Sequence, residues 1–141
     1  MSIQQVIDII ETRLEEDVDW GNSILWGNLD SFQNDYDDDE TPVTCVSLDG
    51  SNMLESSTQS DHVSWEFTIK GVFYLGEKIT TKANFLEYER LNTSLTVIYN
   101  NIINDLDCAW VTEYLGTAFE SIDERMSITS RFTITIETIR N

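Results

Sequence analysis

Between Val63 and Leu106 the hydrophobic pattern changes its period once, and no other feature restricts the fold as much. In Val63-Ser64-Trp65-Glu66-Phe67-Thr68-Ile69-Lys70 the apolar residues take odd positions and the polar ones even positions. That alternation gives a strand one dry face and one wet face. After Gly76-Glu77-Lys78 the apolar residues become Tyr88, Leu91, Leu95, Ile98, Ile102 and Leu106. Steps of three and four place them on a single stripe of a helix. Neither element can bury its apolar side alone, so strand and helix are expected to cover each other or closely related surfaces.

The rest of the chain supplies partners for both. Ile3, Val6, Ile7, Ile10 and Leu14 repeat at helical spacing behind Ser2, and Gln5 completes a capping-box pattern with it. Turn chemistry over 17–22 ends this helix. Residues 21–39 carry only apolar islands (Ile24-Leu25-Trp26, Leu29, Phe32), and a strand and a helical turn both remain open there. A strand is expected over 43–48, after the single proline, Pro42. A polar arm or loop is expected over 49–62, where no hydrophobic period is visible. The strand 63–75 follows, with Gly71 at an inward position that suggests a bulge or a close approach. The helix should begin near 81–84 and run about 22 residues, on the order of 33 Å. An apolar, aromatic segment over 108–120 precedes the clearest alternation in the chain: Met126, Ile128, Phe132, Ile134 and Ile136 against Ser127, Thr129, Arg131, Thr133 and Thr135. These two read as a hairpin, and Ser130 is the one interruption on its apolar face. The expectation is a single α+β domain over 1–141, with element order α-β-β-α-β-β. Its sheet would be mainly antiparallel and four-stranded, with the N-terminal helix and the long central helix packed on one face.

Charge narrows the partners. The chain of 141 residues has a formal net charge of −18, opposite to the basic balance with which proteins neutralise phosphates. The imbalance is steepest in residues 1–40, where twelve acids face Arg13 alone. Such a surface repels DNA and anionic membrane. It suits a solvated or salt-adapted surface, a face for a basic partner, or a wall to which DNA must not adhere. No basic-plus-apolar leader or long apolar run is seen, so neither export nor a membrane span is expected. Cys45 and Cys108 are expected to be buried thiols of a reducing cytoplasm.

Catalytic and ligand motifs are scarce. Asp35, Asp37 and Asp39 have the alternate spacing of calcium-loop carboxylates. The sixth and twelfth positions of that loop, which need Gly and Glu, hold Glu40 and Val46. A hydrated acidic run is the simpler reading. His62 has Asp61 and Ser64 nearby but no nucleophile motif around it. The neighbouring acids Glu15-Glu16 and Asp123-Glu124 lack the separation across a cleft that glycoside hydrolysis requires. Neither a phosphate-binding loop nor HExxH nor CxxC occurs. No enzymatic activity, cofactor or metal is therefore expected. Trp20, Trp26, Trp65 and Trp110 read as core or interface residues, since base stacking normally accompanies a cationic groove.

The two long strands with Thr- and Ser-rich wet faces, poorly protected by lysine, suit pairing between subunits. In element order the chain resembles the tail terminator (tail completion) proteins of tailed bacteriophages. The shared features are an opening helix, a polar arm before a long strand, a central helix over 84–104 and a closing Thr/Ile hairpin. The resemblance covers most of the chain and implies a virion structural protein of tail and neck, made in the host cytoplasm. It further implies a homo-oligomeric ring, usually a hexamer, that ends the tail tube and joins it to the neck or connector proteins. DNA would pass through its acidic lumen without tight binding. No individual residue role follows from it. From the charge distribution, Asp35, Asp37, Asp38, Asp39 and Glu40 are the candidate interaction residues, facing lumen or neck. Another neck or head-completion protein is a close alternative, and an acidic inhibitor that imitates DNA is a competing class.

Overall fold

A strip of alternating residues on the long strands forms the floor on which both helices lie. The computed structural model describes residues 2–27, 40–56, 60–74, 81–106, 109–122 and 125–139; of these, 52–56, 60, 81, 109–122 and 137–139 are described by backbone alone. The elements are α1 (Ile3–Glu15), β1 (Ile24–Trp26), β2 (Val43–Ser56), β3 (Ser60–Tyr74), α2 (Thr81–Asp105), β4 (Ala109–Ile122) and β5 (Arg125–Ile139). The strands form one sheet in the order β1-β2-β3-β5-β4. β1 runs parallel to β2, whereas β2–β3, β3–β5 and β5–β4 are antiparallel.

The α+β class holds, but the four-stranded expectation is corrected. A fifth strand, β1, makes the sheet mixed and changes the order to α-β-β-β-α-β-β. Only three residues long, β1 is too short to show a period, and its partner lies about twenty residues away. Two backbone bonds fix it, Thr44 N to Ser23 O at 2.8 Å and Gly27 N to Val46 O at 3.1 Å.

The polar segment 49–62 is also corrected. Where the sequence suggests an arm or loop, its described residues 49–56 and 60–62 belong to β2 and β3, paired as far as Ser56 with Asp61. Backbone groups supply the ladder regardless of side-chain polarity. Irregularities between Leu48 and Gly50 and between Met53 and Glu55 shift the register. Each shift erases the alternation that reveals a strand in sequence.

The floor is built by Val46 of β2, Phe67, Ile69 and Phe73 of β3, and Met126, Ile128, Phe132, Ile134 and Ile136 of β5. Against it pack Val6, Ile10 and Leu14 of α1 and Leu91, Leu95, Ile98 and Ile102 of α2. Both helical stripes therefore lie where their periods place them. Ser2 accepts from Gln5 N at 3.3 Å while Gln5 Oε1 accepts from Ser2 N at 2.7 Å, which completes the capping box of α1.

Trp20 locks the layers together. The Asp17 carboxylate accepts from the backbone N–H of Asp19 and of Trp20, both at 2.9 Å, and turns the chain inward after α1. The Trp20 ring is fully buried; its Nε1–H donates to Leu91 O at 3.1 Å, and its carbonyl accepts from Thr44 Oγ1 at 2.7 Å. It meets Phe73 edge to face, with centroids 5.2 Å apart. The ring lies directly on Gly71, where a Cβ would stand 2.5 Å from Trp20 Cζ3. Because the register is regular at Gly71, its role is close approach and not a bulge.

Candidate functional site

The helix layer carries much of the charge that the sequence concentrates near the N-terminus, and two arginines organise it. Arg13 of α1 grips Asp105 at the end of α2 in a bidentate fork (Nε–Oδ2 2.5 Å, Nη2–Oδ1 2.8 Å) and also reaches Glu16 at 3.0 Å. Arg90 of α2 reaches back to Asp19 at 2.8 Å and to Glu87 at 2.5 Å. The two clamps order the helices in opposite senses, because residues 13 and 19 meet residues 105 and 90. The hydrogen bonds from Arg13 hold the Asp105 carboxyl below the usual carboxylate range, against the opposing effect of desolvation. The hydrogen bonds that Arg13 donates to Asp105 and Glu16, and Arg90 to Glu87 and Asp19, keep both guanidinium groups firmly protonated. Pairs this exposed add little to stability, so their main consequence is alignment. They are separated by 92 and 71 residues in sequence, and no local pattern announces them.

Between the clamps lies an open groove of about 310 Å³, lined by Arg13, Glu16, Asp17, Thr93, Ser94, Val97, Ile98 and Asn101. Its surroundings are partly apolar. Val97 is 54% exposed on its wall, Leu86 is 61% exposed one turn before Arg90, and Val18 is 85% exposed in the turn that carries Asp19.

The opposite face of the sheet has a different chemistry. Val43, Cys45 and Val72 form a small buried cluster there with Leu25 packed against it. Alongside it, the hydroxyls of Ser47 and Thr68 both donate to the Asp49 carboxylate at the β2 irregularity. Lys70 and Arg131 occupy the same face by alternation. This arrangement satisfies polar groups on a sheet and presents no activated nucleophile. His62 and Ser64 share this face by alternation, while Asp61 falls on the other side of β3.

Of the residues singled out in sequence, Asp35, Asp37, Asp38 and Asp39 lie outside the described residues, as do Cys108, Asp123 and Glu124. Glu40 is described and exposed. The Asn22 amide donates to Pro42 O at 2.9 Å and to Glu40 O at 3.5 Å, bringing the exit of the acidic run beside the turn that follows α1. Cys45 is buried. Trp65 packs half-buried against the core, Trp26 is 37% exposed, and Trp110 belongs to β4, where only the backbone is described. Among the described residues no group of three or more His, Cys, Asp or Glu is placed to hold a metal ion. No described helix is long and apolar enough to cross a membrane.

No protein-family model matches the chain, and no curated protein is significantly similar to it.

Proposed function

We propose that this chain is a non-enzymatic virion component that assembles with itself into a ring and ends a phage tail tube at the neck. The observation that carries the reading is that four strands of the five-stranded sheet are each 14 or 15 residues long, in a chain of this size. Such strands exceed the usual five or six residues, and residues 48–51 at the β2 margin are all exposed. A long sheet with an exposed margin suits contact between subunits. A heterologous contact of this kind closes into a ring when the rotation permits. The net charge of −18 supports the second half of the reading, since a wall of that sign lets DNA pass without adhering. The exit of the acidic run at Glu40, beside the turn after α1, extends the acidic surface towards the helix layer. A neck or head-completion protein would share these properties and differ only in its neighbours.

The test is assembly. Light scattering and negative-stain imaging of the purified chain, alone and with tail-tube subunits, should show a closed ring of fixed subunit number. A monomer under both conditions would overturn the reading. A monomer that binds a basic nuclease tightly, with affinity that collapses in salt, would establish the DNA-imitating inhibitor instead.

A further inference from the structure

We propose that the groove between α1 and α2 is a docking site for a basic amphipathic helix of another protein. Exposed apolar side chains are ordinary when scattered, but here Leu86 and Val97 share one line along α2. Leu86, Arg90, Thr93 and Val97 fall on one stripe of α2 and cover about 16 Å of its axis. Val18 stands exposed in the turn whose Asp19 pairs with Arg90, and Val97 lines the groove. The depression between two helices accepts a third at the usual packing distance of about 8–10 Å between axes.

Charge selects the occupant. Glu16, Asp17, Asp19, Glu87 and Asp105 lie around Arg13 and Arg90, and each of these arginines is already shared between two carboxylates. The surface therefore keeps an acidic excess that a cationic partner would neutralise. A second copy meeting this surface with its own would set like charges together, and the whole chain is acidic. A helix with leucine-like residues at i, i+4, i+7 and i+11 would lay them along the Leu86–Val97 stripe, whose length of about 16 Å it matches. Its flanking lysines would lay their stems along the groove and bring their ammonium groups to Glu16 and Asp17. The proposal stands whether or not the chain forms a ring.

The test uses the full chain and a fluorescent Leu/Lys peptide of about 15 residues, four helical turns, patterned as an amphipathic helix. A scrambled peptide of the same composition serves as control. The patterned peptide should bind saturably at one site, and Leu86→Glu and Val97→Glu should each weaken it by about tenfold or more. Ser51→Glu at the sheet margin should leave affinity unchanged. Both groove variants alter exposed positions, and circular dichroism checks that each stays folded. Simple attraction to an acidic protein predicts the reverse, because an added carboxylate can only strengthen it. The proposal is overturned if the groove variants bind the patterned peptide as well as the unaltered chain does, if the scrambled peptide binds equally well, or if no saturable binding occurs.

Discussion

Replacing Gly71 with alanine adds one methyl group at the point where β3 and Trp20 meet. A Cβ there would lie 2.5 Å from Trp20 Cζ3 and 2.8 and 2.9 Å from two ring atoms of Phe73. Carbon atoms in ordinary contact stand about 3.5–4.0 Å apart, so all three approaches overlap. Neither ring has an easy retreat. Trp20 is fully buried and held through its Nε1–H and its carbonyl, and Phe73 is packed against it. Overpacking of this kind costs about 1–3 kcal/mol. For a domain of this size that lowers the melting temperature by about 4–12 °C.

A double-mutant cycle separates this collision from any general sensitivity of the strand. Trp20→Phe removes Cζ3 and costs about 1–3 kcal/mol alone through lost packing. In the double variant the alanine methyl meets only Phe73. The combined loss should then fall short of the sum by about 1 kcal/mol, beyond the roughly 0.5 kcal/mol expected of independent sites. Urea unfolding followed by far-ultraviolet circular dichroism measures each corner without relying on the altered tryptophan, and the m-value should stay constant. A neutral Gly71→Ala variant, or losses that simply add, would refute the packing argument.

Three further outcomes follow from the charge and capping of the helix layer. Arg13 depresses the Asp105 pKa in the folded state, so this pair stabilises fully above the unfolded carboxylate value, about pH 4, and less as pH falls through the lower folded value. The stability gap between the unaltered chain and Arg13→Gln, measured by thermal melts from neutral to acid pH, should therefore narrow on acidification; a widening gap would contradict the assignment. With −18 net charge, raising NaCl from about 10 to 150 mM should raise the melting temperature as self-repulsion is screened, whereas a fall would mean that the Arg13 and Arg90 pairs outweigh the repulsion. Ser2→Ala removes the side-chain half of the α1 capping box and should cost about 0.5–2 kcal/mol in urea unfolding.

The parts of this fold visible in sequence are those with an uninterrupted period. The α1 stripe of Val6, Ile10 and Leu14, the α2 stripe from Tyr88 to Leu106 and the alternations of β3 and β5 each bury or partly bury the side chains that their spacing selects. Burial on one face is a local property of the repeat, so local residues suffice to specify it. The same logic explains what was hidden. β1 has no room for a repeat, and the distal half of β2 loses its repeat at two irregularities, although its backbone pairs on either side of each.

The candidate surface was less legible still. Sequence located the acidic excess and the exit at Glu40. It offered no sign that Arg13 would meet Asp105, that Arg90 would meet Asp19, or that Val97 would line a groove. An exposed valine and a buried one look alike until a second helix arrives beside them. Composition and period thus determined an acidic α+β domain with two helices available to cover a sheet. Only the tertiary structure decided the parallel fifth strand, the seat of Trp20 on Gly71 and the clamped helix pair, because each depends on groups far apart in the chain meeting at a few ångströms.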